Sequence, residues 1–140
     1  MKLGLDHIGV VVKDLQKAIG LLENLGLTVR EREDIEHLKV AVAFFQVNGN
    51  RIELISPLTE NHELMRHIQE HGEGLHHIAF YVRDINEAVK NLEKLGIRIA
   101  LDRPKGKGHG GKEIVFLDPE DTNGILIELC QEKDKKRFAC

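Results

Sequence analysis

Two apolar runs of the same shape set the reading of this chain. Gly4-Leu5-Asp6-His7-Ile8-Gly9-Val10-Val11-Val12 and Gly74-Leu75-His76-His77-Ile78-Ala79-Phe80-Tyr81-Val82 each carry a histidine near the head of a strand-like stretch. After the first run, Lys13 and Asp14 break the pattern, and Asp14 is placed as a helix N-cap. Leu15, Ala18, Ile19, Leu22 and Leu25 then fall at helical spacing, and Gly26 stands where a left-handed terminating residue belongs. Leu27-Thr28-Val29 starts a second strand. The charged residues 30–37 read as an exposed segment leading to a third strand over Val40–Val47. Asn48-Gly49-Asn50 is a hairpin turn signal. Arg51-Ile52-Glu53-Leu54-Ile55 returns as a fourth strand and stops at Ser56-Pro57. The order is β-α-β-β-β.

Residues 58–73 form a connector, with Leu64 and Ile68 marking a short helix that ends near Gly72. The module then repeats. At one constant offset, without a gap, Gly4, His7, Asp14, Leu22 and Gly26 meet Gly74, His77, Asp84, Leu92 and Gly96. Identity through strand, cap, helix and terminating glycine points to duplication, because amphipathic patterning alone does not place the cap and both glycines. Later strands are expected at residues 113–117 and 125–130. The expected architecture is therefore α+β, one domain over residues 1–140. It is built from βαβββ repeats at about 4–57 and 74–131, paired into a cup-like, partly open eight-stranded sheet. Each repeat has one helix-covered face, and pairing closes the other.

Composition narrows the function classes. Hydrophobic residues make up 41%, charged residues 31%, and the formal net charge is −3. The signs are mixed along the chain, which gives no concentrated basic face for nucleic acid. Lys135-Lys136-Arg137 reads as a solvated tail. No run approaches the roughly 20 apolar residues of a membrane span, and the start shows no signal-peptide core. Cys130 and Cys140 fit neither a zinc motif nor a disulfide framework. A cytoplasmic, reduced protein is expected.

The polar residues inside the strands are the candidate chemistry. His7 and Glu53 interrupt the first module, and His77 and Glu128 interrupt the second, the glutamates within Ile-Glu-Leu in both. Buried carboxylates among aliphatic residues are costly unless paired or metal-bound. Two imidazoles and two carboxylates suit a divalent transition metal, with cobalt, nickel, zinc and manganese all compatible. His76 is expected on the opposite strand face from His77. His67 and His71 are expected on a solvated helix face. The loop from Arg103 to Gly111, with Lys105, Lys107 and the following Lys112, leaves two readings open, a phosphate cradle or a flexible lid.

These residues resemble the vicinal-oxygen-chelate superfamily, and within it the methylmalonyl-CoA epimerases, over about residues 4–131. Leu5-Asp6-His7-Ile8-Gly9, His76-His77-Ile78-Ala79, Gly108-His109-Gly110-Gly111 and Leu126-Ile127-Glu128-Leu129 carry the resemblance. It implies metal ligands His7, Glu53, His77 and Glu128, an acyl-CoA thioester substrate and a homodimer. The implied reaction inverts the carbon alpha to the thioester through a metal-stabilised enolate. Glu128, then Glu53, are the implied proton carriers, and Lys105, Lys107 and Lys112 are candidate contacts for coenzyme A. Some epimerases carry glutamine where Glu53 stands, and some carry a glutamate base where this chain has Val42. Two alternatives remain. One is a glyoxalase I-type lactoylglutathione lyase acting on a glutathione hemithioacetal, although the first helix lacks that enzyme's Phe-Tyr pair. The other is a non-catalytic small-molecule binder.

Overall fold

The structure, a computed structural model, describes residues 2–138, and Cys140 lies outside them. Eight strands and three α-helices are present among the described residues: β1 (Gly4–Val11), α1 (Leu15–Asn24), β2 (Val29–Ile35), β3 (Val40–Val47), β4 (Asn50–Pro57), α2 (Glu63–His71), β5 (Gly74–Val82), α3 (Ile85–Lys94), β6 (Gly106–Lys107), β7 (Glu113–Phe116) and β8 (Ile127–Gln131). No helix among them is long and apolar enough to cross a membrane. The chain forms two compact units, His7–His76 and the residues from His77 onward joined by the N-terminal segment through Asp6.

In the first unit the strand order is β2-β3-β4-β1. β3 and β4 are antiparallel, and β1 lies parallel to β4 with Gly9 in register with Glu53. Asn48 and Gly49 turn the hairpin with φ of 51° and 82°, the left-handed pair that a two-residue turn requires. α1 starts where Asp14 Oδ1 accepts from Lys17 N at 3.1 Å, and Gly26 follows it at φ 96°. Alternation along β3 divides the core. Ala41, Ala43 and Phe45 pack under Leu15 and Ile19 of α1. Val40, Val42 and Phe44 face the other way and pack with Val11, Ile35 and Leu64 of α2.

The second unit repeats this plan with order β5-β8-β7-β6. Asp84 caps α3 by accepting from Glu87 N at 3.1 Å. β5 is parallel to β8, with Ala79 in register with Glu128. Val115 and Leu117 of this sheet pack under Ile85 and Ala88 of α3. β6 is only two residues long, because the glycine-rich loop occupies the place of a full edge strand.

The second strand expected to start at Leu27-Thr28-Val29 runs on through the exposed charged segment: β2 pairs antiparallel with β3 from Val29 to Ile35. Charged side chains suit an edge strand, where they discourage pairing with another chain, so the polar pattern hid its length. The tail cluster is not wholly solvated. Arg137 is half-buried and reaches Asp6 at 2.6 Å and Glu132 at 2.9 Å. Its guanidinium lies 4.0 Å from the Tyr81 ring centroid, and Tyr81 donates to the Arg137 carbonyl at 2.8 Å. Burial alone would raise the Glu132 carboxyl. Hydrogen bonds from Lys112, Arg137 and the Asp134 N–H outweigh it and bring the pKa down to about 2.

Candidate metal centre

Each module buries one imidazole beside one carboxylate. In the first, His7 Nε2 lies 3.6 Å from Glu53 Oε1, with the residues 3% and 6% exposed. In the second, His77 Nε2 lies 3.0 Å from Glu128 Oε2, at 5% and 6% exposure. The surroundings repeat as well. His7 meets the Phe44 ring edge-on, centroids 5.5 Å apart, and Glu53 is in register with Phe44. His77 meets Phe116 edge-on at 5.6 Å, and Glu128 is in register with Phe116. The residue beside each glutamate on the histidine strand is small, Gly9 in one case and Ala79 in the other. Thus each unit holds a His-Glu pair on the strand face opposite α1 or α3, walled by one phenylalanine and spaced by one small residue.

This donor chemistry fits a divalent transition metal. Imidazole and carboxylate are its usual ligands, and a carboxylate among apolar side chains is stabilised by a cation. Glu128 is further constrained, because the buried Cys130 thiol donates to its Oε1 at 3.3 Å. That leaves Oε2 as the oxygen beside His77. His76 points away from this arrangement, its ring 4.8 Å from that of His67 on α2. His67 is half-buried and stacks at 4.9 Å on His71, which is exposed. Burial against His76 separates His67 from the solvated face expected for it.

The glycine-rich loop folds through β6 and a 3-10 turn over His109–Gly111, with Gly110 at φ 66° and Gly111 at φ 73°. Lys107, Gly110, Lys112, Glu113 and Glu132 line part of a 240 Å³ cleft there. Lys107 pairs with Glu113 at 2.9 Å and Lys112 with Glu132 at 2.8 Å. Lys105 is exposed and lies outside the cleft lining.

Sequence reasoning missed three side chains near the pairs. Phe44 is covered only by the third-strand reading over Val40–Val47, Phe116 only by the strand expected at residues 113–117, and Arg51 only by the fourth-strand run Arg51–Ile55. Arg51 lies two residues before Glu53 on β4, so both project from one face, and its guanidinium stacks 4.1 Å from the Phe44 centroid. Alternation along the fourth strand was the available signal.

Known proteins resemble this chain in sequence and in fold. The model of the glyoxalase/bleomycin resistance protein/dioxygenase superfamily matches residues 6–116. An uncharacterised protein of Bacillus subtilis, YqjC, is 41% identical over 130 residues, covering 92% of each chain. Human mitochondrial methylmalonyl-CoA epimerase is 36% identical over 129 residues, covering 91% of this chain and 73% of its own length. The structure of a single-substitution variant of Streptomyces coelicolor methylmalonyl-CoA epimerase in complex with 2-nitronate-propionyl-CoA superposes with a TM-score of 0.84 at 29% identity, covering 94% of this chain and 95% of that one. Duplicated modules, a repeated His-Glu pair and these likenesses lead to one conclusion: the chain belongs to the glyoxalase/bleomycin resistance protein/dioxygenase superfamily.

Proposed function

We propose that the chain is a metal-dependent methylmalonyl-CoA epimerase, in which His7, Glu53, His77 and Glu128 together hold one divalent ion. The observation that carries the reading is the duplicated, buried His-Glu pair, matched in neighbours and register between the modules. The epimerase relatives support the substrate class. Bound there, the ion would act as a Lewis acid toward the negative charge that develops on a substrate oxygen.

The chain's own residues move the proton. Glu128 takes the proton from the carbon between thioester and carboxylate, and the electron pair shifts into the thioester carbonyl. Glu53 is the second carrier, on the symmetry of the modules, and returns a proton to the opposite face of that carbon. β3 offers no base. Val42, 1% exposed, packs in the apolar cluster with Leu64 of α2. Both glutamates are buried, so solvent protons reach the carbon through these carboxyls and not directly from bulk water, which protects an enolate from unselective quenching. The direct test is solvent-deuterium uptake into methylmalonyl-CoA.

In this reading the lysines of the glycine-rich loop contact the coenzyme A phosphates. Lys107 and Lys112 must then exchange their carboxylate partners for phosphate, whereas Lys105 is available at the surface. Replacing Lys105 and Lys107 together by alanine is expected to raise KM for the thioester with kcat nearly unchanged. A steady-state KM equal to that of the parent removes the loop from the substrate site.

A further inference from the structure

Arg51 is a cation without an anion. It is half-buried, and its Nε is buried without a hydrogen-bond partner. Among the described residues no carboxylate pairs with it. It shares a strand face with Glu53, and its guanidinium carbon sits over Phe44, 4.1 Å from the centroid of the ring that meets His7 edge-on. A guanidinium stacked on an aromatic ring is held in place by its π-face. Its N–H edge stays available, and that planar fork matches both oxygens of a carboxylate.

We propose that Arg51 is a specificity-determining residue that binds the free carboxylate of the substrate, the group that distinguishes a malonyl-type thioester from a simple acyl-CoA. The inference rests on the epimerase reading and deepens it. The charge argument is direct. Glu53 puts a carboxylate on this face, so an anionic substrate needs cationic recognition from the protein beyond any ion the ligands hold. The orphaned N–H of the buried Nε is stabilised by an acceptor. The stacked fork defines where that acceptor goes: beside Phe44, on the face that carries Glu53.

The test compares two thioesters that differ only in the carboxylate. Titration calorimetry with methylmalonyl-CoA and propionyl-CoA is run on the metal-loaded parent protein, Arg51→Met and Arg51→Lys. Methionine keeps an apolar stem over Phe44, and lysine keeps a charge without the fork. The expected result for Arg51→Met is a loss of about ten- to a hundredfold in methylmalonyl-CoA affinity, the size for one charged hydrogen-bonding pair. Propionyl-CoA affinity stays the same, and Arg51→Lys recovers part of the loss. A purely packing role for Arg51 cannot change the ratio between the two ligands. Equal losses for both thioesters, or no loss for either, overturn the assignment while leaving the epimerase reading standing. If the parent protein binds neither thioester, the epimerase reading falls and the Arg51 assignment falls with it.

Discussion

Glu128→Gln lowers turnover of methylmalonyl-CoA by about 10²–10⁴-fold, the contribution of one general acid-base group. The substitution is chosen because glutamine fills the same volume at a position only 6% exposed. It retains an oxygen able to accept from the Cys130 thiol, as Glu128 Oε1 does at 3.3 Å. What it removes is the negative charge and the capacity to take a proton. The fold is therefore expected to survive, with a thermal midpoint close to that of the parent. KM changes far less than kcat, because the lost interaction belongs to the transition state. Glu53→Gln provides the internal comparison. Glutamine already stands at that position in some epimerases, so the smaller of the two losses is expected there. Near-normal turnover by Glu128→Gln removes Glu128 as the base.

His7→Ala weakens binding of a divalent ion by more than the 10–100-fold that loss of an outer partner of a metal ligand costs. The imidazole is 3% exposed and 3.6 Å from Glu53, so no solvent-facing histidine can substitute for it. The measurement is metal content after dialysis against a competing chelator, beside the parent protein. His77→Ala is expected to behave alike, since its surroundings copy those of His7 down to the edge-on phenylalanine. His76→Ala is the control. Its ring packs on His67, and its removal leaves metal content unchanged. Full retention of metal by His7→Ala sinks its assignment as a ligand.

Periodicity made most of the fold legible. β3 and the Asn48-Gly49 turn stand where alternation and turn chemistry put them, and both helix caps are read from Asp14 and Asp84. β2 was legible at its start, Leu27-Thr28-Val29, but not in its length. Arg30, Glu31, Arg32, Glu33 and Asp34 read only as an exposed charged segment, because an edge strand has a wet side and needs few apolar residues. The tail failed for a different reason. Arg137 is held by Asp6, Tyr81 and Glu132, and two of these partners are distant in sequence, beyond any local pattern.

The candidate centre was half legible. Duplication exposed His7, Glu53, His77 and Glu128, because a polar residue repeated inside an apolar run has no packing rationale. The same comparison was silent on Cys130, whose bond to Glu128 depends on two residues sharing one strand face. It was silent on Arg51 too, since stacking on Phe44 joins β4 to β3 through register.

Solvent-deuterium exchange tests the central claim most directly. The protein is loaded with cobalt or nickel and incubated in deuterium oxide, once with methylmalonyl-CoA and once with methylglyoxal and glutathione. The account predicts deuterium at the carbon between thioester and carboxylate, with loss of stereochemical purity and no lactoylglutathione formed. Lactoylglutathione formation without exchange into methylmalonyl-CoA would contradict it in favour of the lyase, and turnover of neither substrate would contradict it in favour of a binding protein.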